Sequence, residues 1–439
     1  MPSPPASVWS AAWLFGLGVV LGAGGLGAQT PDAPFLSKLE TPVNQEEGKQ
    51  EAVRELKPEP PGSFFTRGEY TFIPLPAFAY SRNESYWIGG LVPILKANDQ
   101  GEVADILAPQ YLHNQHIGES LSLSYYGYRG DTKQFRAVAS YATKIERNFD
   151  LSYRDLGAGD GKYIIAAQVN WFKNAFARFF GLGNNAPEGN ETNYTSREGL
   201  VNLTAGINID EDFSILFTER YRDVRVDQGA VTSLAQTKSL FPGVTGINGA
   251  QILGQRLALR YDTRDSQLTP TKGSYVTLSL ELSQNLASSA TARWGRYTLD
   301  ARHLVRHDTD QVFVMHVLFD AVTGDKIPFY ERPTLGGENT LRAFGLSRYI
   351  DDTAVLINFE NRIEAFEKRI LDHTIKLEIA PFLDIGRVAS RFDGDWFKQL
   401  QYNPGVGIRV MAKPHVVGRI DVAYGRDGGN AFVGLDYPF

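Results

Sequence analysis

Two stretches hold the residues best typed for chemistry. GGENTLRAF, from Gly336 to Phe344, ends on an arginine, and PFLDIG, from Pro381 to Gly386, sets an acid inside an apolar run. Arg342 cannot lose its proton, so away from bulk water it needs a carboxylate, and Asp384 can supply one. Glu360 and Asp384 together could be taken for an acid/base pair. A guanidinium beside them would hold both ionised, which is wrong for a general acid. No G-x-S-x-G elbow, H-E-x-x-H helix or Walker-type loop occurs. The absence of cysteine excludes thiol nucleophiles and cysteine metal sites. His113 and His116 lie near a strand end, whereas His303 and His307 share a strand face but stand about 13 Å apart, too far for one ligand. They read as surface or turn residues, and Asp262, Arg264 and Asp265 as a turn-closing ion network. No catalytic, cofactor or metal site is expected.

The elements that position Arg342 and Asp384 show period two, as strands must. In 275–283, Val276, Leu278, Leu280 and Leu282 oppose Tyr275, Thr277, Ser279 and Glu281. In 256–262, Leu257, Leu259 and Tyr261 oppose Arg256, Arg260 and Asp262. In 353–365, Val355, Ile357, Phe359 and Ile363 leave Asn358, Glu360, Arg362 and Glu364 opposite; in 374–386, Lys376, Glu378 and Asp384 share the parity opposite Ile375, Leu377 and Ile379. If apolar faces lipid, Glu360 and Asp384 point into one lumen from adjacent strands. A soluble sandwich shows the same alternation, and connection lengths separate the two. Counting back from the C-terminus gives about sixteen strands, with 133–155 as one of them and 68–80 either an added strand or a segment lying inside. Long connections at 173–195, 225–251 and 323–352 fall on one side and short ones on the other, the asymmetry of outer-membrane barrels. An aromatic content of 12% with 43 glycines suits long antiparallel strands, and a net charge of -6 with interspersed signs gives no sign of nucleic-acid binding.

Residues 11–28 form an apolar run ending in small residues, with a cut expected after Ala28; it is too short and glycine-broken for a spanning helix, although no Lys or Arg precedes it. The organisation expected is a signal peptide (1–28), a flexible periplasmic or lumenal lead segment rich in Pro and Glu (29–63), and an outer-membrane β-barrel (64–439). At the end of the chain, AFVGLDYPF places Ala431, Val433, Leu435, Tyr437 and Phe439 on one strand face.

From about Tyr86 to Phe439 the chain resembles the bacterial surface-antigen barrels, the superfamily of BamA/TamA-like assembly factors and two-partner-secretion transporters. RFFGLGN (178–184), LRYDTRDSQLTPTKGSY (259–275), LGGENTLRAF (335–344) and FLDIG (382–386) carry the resemblance, in the family's order. It implies an all-β, single transmembrane antiparallel barrel of a Gram-negative outer membrane, with long external loops, one folded into the lumen. Arg342 would then meet Glu360 and Asp384. Gly336, Gly337, Leu341, Ala343 and Phe344 would form the loop motif, Phe382 and Gly386 the barrel motif, and Gly434, Leu435, Tyr437 and Phe439 a C-terminal assembly signal. Ala343 stands where the family has glycine, so backbone strain is expected there if that position needs a positive φ. The family's periplasmic polypeptide-binding (POTRA) domains are far longer than 29–63, so a POTRA-less member is expected. The implied function is insertion or translocation of polypeptide or lipid, with a passive or gated pore or a structural surface-antigen barrel as the alternative. The implied partners are outer-membrane lipid, the barrel assembly machinery during biogenesis, and a client polypeptide or lipid.

Overall fold

The computed structural model describes residues 66–439 apart from 68, 73, 99–102, 131, 267–268, 288–291, 371–372, 393–397, 413–415 and 436. The expected signal peptide and lead segment lie outside the described residues.

The described chain is one antiparallel meander. β1 covers Tyr70–Phe72 and Leu75–Ser81, interrupted beside Pro74; β2 covers Ser85–Leu91 and Ile94–Ala97, interrupted at Pro93, since proline gives the ladder no donor. There follow β3 (Val103–Asn114), β4 (Gly118–Arg129), β5 (Lys133–Ala142), β6 (Arg147–Ala158), β7 (Tyr163–Phe179), β8 (Thr192–Asn208) and β9 (Phe213–Gln228). The second half comprises β10 (Ala250–Asp262), β11 (Gly273–Asn285), β12 (Arg293–Asp308), β13 (Gln311–Gly324), β14 (Thr353–Ile370), β15 (His373–Ala389), β16 (Gln401–Ala412), β17 (Val416–Gly425) and β18 (Gly428–Leu435). Each strand pairs with the next. β18 comes alongside β1, closing the sheet into a barrel.

Among the described residues the main strands number eighteen where about sixteen were expected, for two reasons. Residues 70–81 form a paired strand, and 133–155 is two strands folded at Thr143–Glu146. That turn carries none of the usual turn residues. Its left-handed position is Ile145, with φ 48°, an unfavourable conformation for a β-branched side chain. Packing of Ile145 onto a buried apolar cluster that includes Trp87 and Phe176 offsets the cost.

The distribution of side chains is the reverse of a soluble interior. Leu257, Leu278 and Leu282 are 52%, 53% and 61% exposed, whereas Arg220, Arg260, Arg342, Arg362 and Arg409 are among the most deeply buried large side chains. Arginine is almost never fully buried unless paired, so the apolar face is the lipid face and the charged face lines a packed lumen. The long connections, 180–191, 229–249 and 325–352, fall on one side of the barrel, and the short 209–212 and 309–310 on the other. The expected 173–195 loop is shorter because β7 runs on through a bulge between Asn174 and Ala177.

Candidate functional site

The 325–352 connection folds inward. A two-residue ladder, Thr334–Leu335 with Tyr349–Ile350, closes its neck. Within the neck Gly336 and Gly337 adopt φ 113° and 106°, and a side chain on Gly336 would meet the Gly345 carbonyl at 2.3 Å, so only glycine fits. Leu335, Leu341, Ala343, Phe344 and Tyr349 are fully buried and pack with Leu356 and Val388. Gly386 on β15 provides the flat place on which this cluster rests, because a Cβ there would stand 3.0 Å from Leu335 and 3.2 Å from Leu341. Ala343 keeps a negative φ, so the strain expected of a non-glycine residue there does not arise.

Arg342 projects from this turn onto β14 and β15. Its Nε and Nη2 donate to the two oxygens of Asp384, at 3.1 and 2.8 Å, and its Nη1 donates to Glu360 Oε2 at 2.8 Å. Its backbone N–H also donates to Asp384, at 3.0 Å. The guanidinium lies 3.3 Å over the centre of the Phe382 ring. The acids are shared outward. Glu360 accepts from Arg362 at 3.1 Å and Arg409 at 3.1 Å, and Arg409 reaches Asp421 at 2.7 Å. Asn358 donates to Asp384 at 2.7 Å and to the Thr340 carbonyl at 2.9 Å, and Asn430 of β18 donates to the Arg342 and Phe344 carbonyls. The three residues expected to meet therefore do meet, and the loop motif and barrel motif surround them. Fork-to-carboxylate geometry of this kind is open to arginine and closed to lysine.

The end of the chain departs from the single strand face read in the sequence. β18 stops at Leu435, and Tyr437 and Phe439 turn into the lumen. The Tyr437 hydroxyl donates to Glu378 at 2.8 Å under the Arg362 guanidinium, 3.5 Å from its ring, and Phe439 stacks on His316 at 5.0 Å. Pro438 cannot continue a ladder, and the lumen offers cationic faces for both rings.

Sequence reasoning missed a second attachment of the same loop. Glu331, in a short 3-10 turn at Phe329–Glu331, is buried between two arginines of β9. Arg220 donates to its Oε2 at 2.9 Å and Arg222 to its Oε1 at 2.5 Å. Arg220 also holds Glu281 of β11 at 2.5 Å, and Arg222 holds Glu198 of β8 at 2.7 Å. Phe329 anchors the turn against Phe179 and Tyr194 at 4.8 and 5.4 Å. The available signal was Arg220 and Arg222 on the lumen parity of one strand, which together demand acids.

A model of the Omp85 superfamily domain matches residues 128–430. The chain belongs to the Omp85 superfamily. Among solved structures, BamA from Haemophilus ducreyi lacking POTRA domains 1–3 is similar at a TM-score of 0.51 and 12% identity, covering 84% of this chain and 71% of that one. CdiB from Acinetobacter baumannii (TM-score 0.47, 13% identity) covers 84% of this chain and 60% of its own, and CdiB from Escherichia coli (TM-score 0.47, 11% identity) 88% and 69%. No curated protein sequence matches the chain. Superfamily membership and the inside-out strands make the chain a barrel of the Gram-negative outer membrane.

Proposed function

We propose that this Omp85 barrel assists insertion or translocation of a polypeptide or lipid through the seam between β1 and β18. The observation that carries the reading is how the seam is held. Among the described residues, β18 is registered only to β17 and the Leu75–Ser81 part of β1 only to β2. Val433 of β18 joins the apolar cluster containing Ala77, Ala79 and Trp87. A seam that rests on side-chain packing separates without the loss of a hydrogen-bonded ladder, while the inner loop, pinned to β9, β14 and β15, keeps the remaining wall in register. The chain has no cysteine, so one cysteine placed in β18 and one facing it in the Leu75–Ser81 part of β1 give a clean tether across the seam. Oxidation is expected to reproduce the outer-membrane protein or lipid defects of depletion, and reduction to reverse them. If depletion changes no outer-membrane protein or lipid, the proposal fails. A large, steady conductance in planar bilayers, insensitive to Arg342→Ala, would support a simple pore instead.

A further inference from the structure

The lipid-facing surface carries one row that an apolar belt does not explain. Arg147 of β6 is paired in register with Lys173 of β7, Lys173 with Arg197 of β8, and Arg197 with Arg225 of β9. All four have the parity of Phe149, Trp171, Leu203, Phe217 and Tyr221, which face outward and are exposed. The row lies at the end of the barrel bearing the 180–191 and 229–249 connections, one pleat beyond Phe149 and Trp171. It therefore stands at the external headgroup level, above an aromatic band.

Directly opposed side chains in a sheet have Cβ atoms about 5 Å apart, and like charges there destabilise the pair. Four neighbouring cations are an unfavourable arrangement unless an anion lies over them. The protein supplies little of that anion. Arg147 stacks on Tyr141 at 3.6 Å and donates to the Ala142 and Glu146 carbonyls, which carry no net charge. Arg197 reaches Asp227 at 3.4 Å, with both side chains well exposed, so the pair is weak. Asp223, the next outward acid of β9, lies opposite Gly199, one pleat deeper, and Glu219 lies deeper still, opposite Leu203. Among the described residues no side-chain hydrogen bond or ion pair holds Lys173 or Arg225.

We propose that this row binds the phosphate groups of an anionic glycolipid in the external leaflet. Phosphate oxygens accept charge-assisted bonds from guanidinium forks and from a lysine between them, which removes the repulsion along the row. The membrane, rather than soluble phosphate, is the source the geometry favours, because the row sits on the lipid face directly above Trp171 and Phe149. β6–β9 also lie well round the barrel from the seam. A lipid held there would fix one wall in the leaflet while the β1–β18 side stays free to deform.

The test measures retention of diphosphorylated lipid A by the full chain, refolded in neutral detergent. The wild type is compared with the combined Arg147→Gln, Lys173→Gln, Arg197→Gln and Arg225→Gln variant and with each single change. Monophosphorylated lipid A and inorganic phosphate are the other arms. Expected are preference for the diphosphorylated lipid, about fivefold weaker retention per removed charge at low salt, and no displacement by inorganic phosphate. Equal retention by the combined variant, or indifference to the phosphate count, overturns the proposal; displacement by inorganic phosphate overturns the assignment to lipid. Should the combined variant fail to fold, Arg225→Gln alone is decisive by the same measure. Lys173→Gln adds a signed readout: it should raise thermal stability in neutral detergent and lower it with diphosphorylated lipid A. Destabilisation in both would make the row merely structural and sink the idea.

Discussion

Glu331→Gln removes one charge and keeps the shape of the side chain, so it isolates the missed attachment of the inner loop. Glu331 accepts from Arg220 at 2.9 Å and Arg222 at 2.5 Å, and all three residues are at most a few per cent exposed. Breaking a buried ion pair by removing one partner costs about 3–5 kcal/mol, because a charge is left uncompensated. Here Arg220 keeps Glu281 and Arg222 keeps Glu198, so the loss should fall near the lower end, about 3 kcal/mol. The assay is urea unfolding in detergent micelles, followed by tryptophan fluorescence and by the heat-modifiable migration of the folded barrel. Trypsin added to intact cells should also cut the variant within 325–352, after the buried Arg348, where the wild type resists. If Glu331 and Arg342 hold one loop, Glu331→Gln with Arg342→Ala should be less than additive, by about 1–2 kcal/mol, since the second release finds the loop already loosened. A variant within about 0.5 kcal/mol of wild type, with the loop still protected from trypsin, would refute the reasoning.

Arg342→Lys keeps the charge but loses the fork that reaches Asp384 and Glu360 together; it should recover less than half of the stability lost in Arg342→Ala, by the same urea titration. Gly386→Ala places a methyl group 3.0 Å from Leu335 and should cost about 1–3 kcal/mol, with the loop becoming trypsin-sensitive. Two carboxyls in external turns predict a pH dependence. Burial raises Glu84 from 4.5 to about 7 against the pull of Arg178 and with the push of Glu338, and burial together with Glu84 raises Glu146 well above its ordinary value. Both stay protonated in the folded barrel while the unfolded chain ionises. Their contribution is therefore full below pH 4.5 and is lost as pH rises through about 7. The melting temperature should fall over that window, and Glu84→Gln with Glu146→Gln should flatten it; an unchanged slope would show that other groups set it.

The wall of the barrel was legible in the sequence because lipid and lumen impose opposite demands on alternate residues. Glu360 and Asp384 could be assigned to one lumen by parity alone, and the resemblance then brought Arg342 to them. The turn at 143–146 was not legible, because Ile145 takes a left-handed conformation that no sequence rule assigns to isoleucine, and only its burial makes that tolerable. The end of the chain misled in the same way. The alternation through Phe439 is real, but Pro438 and the stack on His316 redirect it after Leu435. Glu331 was hidden for a different reason: it lies in a connection with no period, so its role shows only once Arg220 and Arg222 are seen to face it.

Those two attachments have opposite polarity, and that matters more than their summed strength. A buried ion pair is weak evidence for stability, since well-packed apolar residues often serve as well. The barrel, however, already uses its apolar residues on the lipid side, and the lumen must specify one placement for a 28-residue connection among many polar partners. Glu331 meets two arginines of β9, and Arg342 meets two acids, Glu360 of β14 and Asp384 of β15. Shifting or reversing the loop would bring Glu331 towards Asp384 and Arg342 towards Arg220, leaving like charges buried together. The charge pattern therefore works against the wrong insertions as well as for the right one. This account predicts that each charge reversal, Glu331→Arg or Arg342→Glu, costs clearly more than the neutral change at the same position, Glu331→Gln or Arg342→Ala, because it buries like charges together as well as removing an attachment. If the reversals cost no more than the neutral changes in the same urea titration, polarity is incidental and packing by Leu335, Leu341 and Phe344 sets the register instead.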